Sequence, residues 1–211
     1  MGTIFRTWSY QYQWLYDGIS RIAAIAVGGE YRFRRLALTG LEIDPHAKIL
    51  DLCCGSGQVT GILLEYSDDV TGLDISPLSL SRSRRNVPQA KYVEALAEEM
   101  PFEDGEFDLV HTSAAMHEMS RSQLQQIFAQ VYRVLKSGGT FTMVDFHQPT
   151  NLLFIPGLTI FFWLFETESA WQLIETDLVQ MLRDVGFLID LSPSLYAGGS
   201  LQVIQARKAR K

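Results

Sequence analysis

The stretch Ile49-Leu50-Asp51-Leu52-Cys53-Cys54-Gly55-Ser56-Gly57-Gln58 joins a short apolar run, a carboxylate and a glycine turn. The chemistry open to such a turn is binding. Gly55 and Gly57 let the backbone approach a ligand where a Cβ would collide, and the first N–H groups of a following helix are donors without partners. That combination fits a nucleotide-like cofactor. A dinucleotide fingerprint would read G-x-G-x-x-G, but Thr60 stands in the third place and Gly61 comes one step late, which weakens the case for a diphosphate. Asp51, four residues before Gly55, would repel phosphate and suits water or the ammonium group of a cationic cofactor. Asp74 ends a second apolar run, Val70-Thr71-Gly72-Leu73, 17 residues after Gly57. Its carboxylate can accept both hydroxyls of a ribose, the part shared by dinucleotides and S-adenosylmethionine. The missing third glycine favours S-adenosylmethionine.

The segments LDLCCGSGQVT, TGLDIS, AEEMPFEDGEFDLVHT and VYRVLKSGGTFTMVDF follow in the order and spacing of class I S-adenosylmethionine-dependent methyltransferases, and the chain resembles that class from Ala47 to about Pro149. Its second half and tail, with PFEDGEFD, YRVLKSGG, LVQMLRDVGF and LSPSLYAGGSLQVIQARK, resemble most the ubiquinone/menaquinone biosynthesis C-methyltransferase branch. The resemblance implies that the backbone of Gly55, Ser56 and Gly57 cradles the methionine part of the cofactor and that Asp74 takes the ribose. It also implies that Thr112 and Ser113 present carbonyls to the ammonium and methyl region. Cys53, Ile75, Ala97 and Glu98 complete the implied cofactor contacts beside Asp51. Relatives carry Asp or Asn before Ala97 to bind the adenine amino group, whereas this chain has Leu96. The Ala97 N–H, apolar contact from Leu96, or Glu98 reaching across then remains for the adenine.

His117 and Glu118 follow the fourth expected strand, in a segment that borders the transferred methyl in this class. Methylating an aromatic carbon beside a hydroxyl releases a proton, and a side chain titrating near neutrality can assist by about 10²–10⁴-fold. His117 is therefore a candidate base; the bland alternative is a structural histidine capping the next helix. His147, just past the fifth strand, is an equal second candidate or a residue that orients its loop. His46 reads as a surface residue and His111 as a strand residue. No metal-ligating cluster is visible, which argues against a cation-assisted catechol mechanism.

The elements that must position these groups alternate between strand and helix patterns. Strands are expected over 48–52, 70–73, 91–93, 109–112, 140–145, 188–191 and 201–206, and helices near 57–65, 77–86, 121–135 and 176–185. Pro77 after Ser76 marks a helix start, and Gly138-Gly139 after Lys136 marks a helix stop. The last two strands have no helix between them and meet at Gly198-Gly199. The expected fold is thus α/β: a doubly wound, seven-stranded, mostly parallel sheet with a C-terminal antiparallel hairpin, Rossmann-like as the resemblance implies. One domain is expected over 1–211, with an N-terminal helical cap (1–46), a cofactor-binding core (47–149), an apolar substrate lid (150–175), and a last helix with the strand hairpin (176–211).

A chain of 211 residues that is 47% hydrophobic can bury a substantial single core. The net charge of −6 argues against a broad nucleic-acid surface. The basic clusters Arg32–Arg35, Arg82–Arg85 and Arg207–Lys211 read as solvated faces or a terminus, although a basic tail can touch anionic lipid. Adjacent Cys53 and Cys54 are too constrained for a framework disulfide, and they read as small packed groups in a reducing compartment. The residues Met1–Arg6 carry neither a signal pattern nor a myristoylation motif, so a cytoplasmic location is expected.

The apolar stretch Leu152–Phe165 holds 14 residues, interrupted by Pro156 and Gly157, and falls short of the ~20 needed to span a bilayer. Together with the aromatic segment Trp8–Tyr16 it can close over a long apolar substrate, or be core. A helix hydrophobic on every face must be buried by protein, lipid or ligand. A hydrophobic small molecule or prenyl lipid is therefore the expected acceptor, collected by peripheral membrane contact through 152–165. Three functions fit: C-methylation of a prenylated quinone or quinol, O- or N-methylation of a small hydrophobic metabolite, or non-catalytic cofactor binding. The oligomeric state is left open.

Overall fold

The computed structural model describes residues 24–189 and 192–210. The segment Trp8–Tyr16 and the rest of the expected cap before residue 24 lie outside them. Five parallel strands form the centre: β1 (Lys48–Leu52), β2 (Asp69–Asp74), β3 (Lys91–Glu94), β4 (Phe107–Ser113) and β5 (Leu135–Phe146). β1 lies between β2 and β4, so Ile49 to Leu52 are buried on both faces, which explains an apolar run in place of an alternating one. The only acid in that run is Asp51. On the far side of β5 the antiparallel strand β8 (Leu201–Lys208) pairs with it from Thr140↔Arg207 to Phe146↔Leu201, and β8 carries the short strands β6 (Phe187–Leu188) and β7 (Ser194–Tyr196). The order across the sheet is β3-β2-β1-β4-β5-β8-β6. The chain reverses its direction of winding between β1 and β4, which opens a crevice at the carboxyl ends of those strands.

The described helices are α1 (Glu30–Arg35), α2 (Gln58–Leu63), α3 (Pro77–Asn86), α4 (Arg121–Val134), α5 (Ile155–Phe165), α6 (Glu168–Ile174) and α7 (Leu178–Val185), with short 3₁₀ turns between some of them. α3 starts where Ser76 accepts the Ser79 N–H ahead of Pro77. α4 has a full capping box, Ser120 and Gln123 satisfying each other's backbone N–H groups. Its buried residues Leu124, Ile127, Phe128, Val131 and Val134 recur at helical spacing and pack against β5 and α7 in the main core. α7 ends at Gly186, whose φ of 111° is left-handed.

The structure carries the expected α/β sheet and its antiparallel ending, with two local differences. The edge beyond β8 is made of two pieces: β6 stops at Leu188, and Ser194–Tyr196, read from sequence as a connection, is a strand that meets β8 through Ala197–Gly199. Ser-Pro at 192–193 interrupts the edge, since proline has no N–H to give a ladder. Second, Gly138-Gly139 does not stop α4. The helix ends at Val134 and β5 begins at once with Leu135, which pairs with Phe107 ahead of a register shift. The glycines lie within that strand, where a Cβ on Gly139 would approach the carbonyls of Asp108 and Lys136 to 3.0 Å.

The expected lid is helical. α5 lays Phe162, fully buried, against Phe146 at the end of β5 and against Trp171 of α6. Its other side shows Ile160 and Trp163 to solvent, beside Leu152 and Leu153 in the turn before it. The start of this segment is fixed to the β7–β8 turn, because the Gly198 carbonyl accepts the N–H groups of Thr150 and Asn151.

Candidate active site

The turn after β1 is shaped by left-handed residues. Cys53, Gly55 and Gly57 have φ of 58°, 56° and 87°. A Cβ on Gly57 would press on Ser83 of α3, whereas one on Gly55 would point into open space, the place a ligand would occupy. Ala114, at the end of β4, is also left-handed with φ 51°. The non-glycine residues Cys53 and Ala114 thus store strain of about 1 kcal/mol or more each at two neighbouring strand ends. Two side chains hold the turn from outside. Asp74 Oδ2 accepts the Gly55 N–H at 2.9 Å while Oδ1 accepts the Ser76 N–H at 2.8 Å, and Ser83 Oγ donates to the Gly55 carbonyl at 2.6 Å.

A cavity of about 420 Å³ opens against this turn, within the size range of small-molecule sites. Of the expected cofactor positions, Cys53, Gly55, Ser56, Asp74 and Ile75 line it from the ends of β1 and β2, and Ala97 and Glu98 line it from the loop after β3. Leu96 is also in the wall, 45% exposed, where it offers apolar surface and no hydrogen bond. One oxygen of the Glu98 carboxylate accepts the Gln123 Nε2 at 2.7 Å. Sequence reasoning missed the part of the wall made by Leu78, Ser79 and Arg82 of α3. The cap Ser76-Pro77 was its available signal, because a helix starting two residues after Asp74 must run beside the same opening.

Asp51, Gly57, Thr112 and Ser113 are not in the wall. Asp51 is buried beneath the turn, with Oδ2 accepting the Thr60 hydroxyl at 2.6 Å. Burial pushes its carboxyl up to about 7, opposed by the Thr60 hydrogen bond and the Arg34 guanidinium and reinforced by nearby Asp74. A positive group in the cavity would favour its ionised form. Thr112 and Ser113 end β4 with hydroxyl oxygens that are buried and have no hydrogen-bond partner among the described residues. Such atoms call for a ligand or water. Cys53 and Cys54 are free thiols, and burial first, then the carboxylates Asp51 and Asp74, drives both well above the ordinary thiol range. Neither is an activated nucleophile.

The two candidate bases are placed differently. His117, in the 3₁₀ turn Met116–Glu118, is buried behind the wall residues Ala115 and Glu118. Its Nδ1 is 2.8 Å from Asp145 Oδ1, its Nε2 is 3.5 Å from Glu166 Oε2 at the end of α5, and its ring meets Phe146 edge-on at 4.7 Å. Asp145 also accepts the N–H groups of Met116, His117 and Phe146. This carboxylate falls at the last residue of the strand expected over 140–145, but nothing local in the sequence ties it to His117. His117 does not cap the next helix; Ser120 does. His147 is tied to the β7–β8 turn, with Nδ1 2.9 Å from the Gly199 carbonyl and its N–H donated to Ser200. His46 is exposed and meets Asp68, as its surface reading required. His111 is buried in β4 on Thr142, and burial, with Arg34 acting the same way, lowers its ring to about 3, so it stays neutral.

Among the described residues no group of three or more His, Cys, Asp or Glu is arranged to hold a metal ion, and no helix is long and apolar enough to cross a membrane.

A family model described as a methyltransferase domain matches residues 49–139. An uncharacterized methyltransferase of Synechocystis is 59% identical over 207 residues, 98% of this chain and 97% of that protein. The demethylmenaquinone methyltransferase of Lactiplantibacillus plantarum is 29% identical over 150 residues, 67% of this chain, and the match spans 62% of that enzyme's length. Among solved structures, a SAM-dependent methyltransferase of Methanosarcina mazei superposes with a TM-score of 0.64 at 21% identity, covering 81% of this chain and 96% of that one, a likeness of fold.

Proposed function

Because the chain belongs to the S-adenosylmethionine-dependent methyltransferases, we propose that it methylates a carbon of a prenylated quinol ring, with His117 taking up the proton that the reaction releases. When bound, S-adenosylmethionine supplies a methyl group on a positively charged sulfur. The residues fit it: a glycine turn open where a Cβ would stand and a carboxylate at the end of β2, both in the cavity wall. In this reading the Gly55–Gly57 backbone and Ile75 hold the cofactor, Asp74 accepts the ribose hydroxyls, Asp51 balances the ammonium through the turn, and Ala97 with Leu96 covers the adenine.

The observation that carries the acceptor reading is the seating of α5. An almost wholly apolar helix packs Phe162 and Phe161 on Phe146, which in turn touches the His117 ring. An apolar acceptor lying under α5 would reach the same strand end as the histidine. The ring carbon forms its bond to the methyl carbon as that carbon's bond to sulfur breaks, and the net reaction releases one proton. The protein's task is alignment and exclusion of water, which a greasy lid serves. The exposed side of the lid, with Leu152, Leu153, Ile160 and Trp163, supports contact with a lipid surface from which such an acceptor is drawn. The distant demethylmenaquinone methyltransferase relative points the same way.

The test is transfer of labelled methyl to quinols carrying long, short or no prenyl tails, presented in micelles. Label on the ring carbon of the tailed quinol, with little on the tail-free one, supports the proposal. A preference for tail-free acceptors sinks it and favours a small hydrophobic metabolite.

A further inference from the structure

Glu166 has no place in the cofactor site, yet its carboxylate faces the one histidine that the site brings beside the lid. Its side chain is only 11% exposed, and Oε2 is 3.5 Å from His117 Nε2, while the opposite nitrogen of the ring is held by Asp145 at 2.8 Å. The three groups come from three elements: the end of β5, the turn after β4, and the residue that follows α5. Asp145 is fixed by three backbone N–H groups, two of them in the ring's own turn, so it holds the ring and its turn in one place. Glu166 caps the carboxyl end of α5 and rides with it.

We infer that Glu166 is the lid-side member of a proton relay, Asp145–His117–Glu166, and that it acts as a positioning residue through His117. The inference rests on the reading above, in which a hydroxyl-bearing acceptor is methylated. A ring carrying hydrogen on both nitrogens would direct one at each carboxylate, across 2.8 Å to Asp145 and 3.5 Å to Glu166. It corresponds to the relay after proton uptake. Before uptake, Nε2 carries a lone pair, which a facing carboxylate repels, so the end of the lid stands away and the acceptor hydroxyl occupies that place. The acceptor O–H bond then breaks, its electron pair stays on oxygen and strengthens the ring carbon as nucleophile, and the proton passes to Nε2. Glu166 returns over the new N–H and balances its charge in a site that water does not reach. Methyl transfer and settling of the lid are linked by one proton.

Among the described residues, the charged groups at the ring's end of these elements are Asp145 on β5, Glu166 at the end of α5, Glu168 on α6, and Glu118 in the ring's own turn, whereas Lys136 stands at the opposite end of β5 on Asp108. The near groups are acidic, so removing one weakens the hold on the imidazolium.

Two measurements on Glu166→Gln, which keeps shape and removes charge, test the relay. First, kcat with a hydroxylated acceptor is followed across pH. The expected result is a loss of about tenfold or more at neutral pH, an acid limb displaced to lower pH, S-adenosylmethionine affinity within about twofold of wild type, and partial rescue by Glu166→Asp. A merely structural Glu166 would lower the melting temperature and raise the acceptor KM while leaving the pH profile in place, and that result overturns the inference. Second, the His117 ring is titrated by ¹⁵N-resolved NMR without any acceptor, and it should lose its second proton at lower pH in Glu166→Gln than in wild type. An unmoved titration also overturns the inference. If wild-type protein transfers methyl to no hydroxylated acceptor, the proposed function fails, and the ring titration still decides whether the relay exists.

Discussion

Replacing Asp74 by Ala removes more than the predicted ribose contact, because the same carboxylate holds the glycine turn. Its two oxygens accept Gly55 N–H at 2.9 Å and Ser76 N–H at 2.8 Å. Each oxygen has a further lone pair, which is where two ribose hydroxyls would bind. Hydrogen bonds to a charged group contribute about 1.5–3 kcal/mol each. Two forces act against the full loss. Water replaces part of the hydration, since Asp74 is only partly buried, and removing Asp74 relieves its repulsion of Asp51. A net loss on the order of 2 kcal/mol in binding remains, or about 30-fold in dissociation constant. Asp74→Asn, which keeps one acceptor, should fall between wild type and Asp74→Ala. Isothermal titration of S-adenosylmethionine or its demethylated product into each variant measures this, with melting curves to confirm folding. Well-folded Asp74→Ala protein whose dissociation constant stays within about threefold of wild type would refute the assignment of this carboxylate to the cofactor.

Three further outcomes are expected. Asp51 is held up near 7 when folded and titrates near 4 when unfolded, so the native chain binds the extra proton between those values. Stability to urea should therefore fall as pH rises from about 4 to about 7, by at most about 1.4 kcal/mol for each pH unit crossed, and Asp51→Asn should flatten that slope; a slope unchanged by the substitution contradicts the assignment. His117→Ala should lower turnover on the order of 10²-fold with cofactor affinity nearly unchanged, and wild-type turnover in that variant would return the residue to a purely structural role. Gly72→Ala places a Cβ 2.8 Å from Cys54 Sγ and 3.0 Å from the Tyr92 ring, so the urea midpoint should drop by the equivalent of about 1–3 kcal/mol.

What the sequence made legible was whatever depends on neighbours along the chain. The glycine turn, the acid at the end of β2 and the cap at Ser76-Pro77 are local, and the structure brings them to one cavity wall. The start of α3 and the end of α7 follow from a proline and a glycine whose effects reach one turn. Pairing across the sheet was harder. Ser194–Tyr196 has neither length nor a run of β-branched residues, and it becomes a strand because β8 offers it partners. Likewise Gly138-Gly139 reads as a breaker, but it falls at the register shift between Leu135 and Thr140, both paired with β4, and the strand runs on through it. The link between His117 and Asp145 spans 28 residues and that between His117 and Glu166 spans 49, so both depend on how strands and lid are stacked. Leu96 was visible at once as a departure; that Glu98 binds Gln123 beside it follows only from the fold.

The place of β8 has a bearing on biosynthesis. β5 carries Asp145, and β8 lies against it along seven residues, from Thr140↔Arg207 to Phe146↔Leu201. A nascent chain emerging from the ribosome makes β5 some fifty residues before its neighbour, and until residues 201–207 appear the strand is a long sheet edge with bare N–H and C=O groups. Such edges are aggregation-prone and invite foreign strands. The apolar segment that follows is translated in the interval, and its start is tied to Gly198, which also comes later. Helper proteins that shield greasy segments would find their longest window of access between the synthesis of Phe146 and that of Leu201.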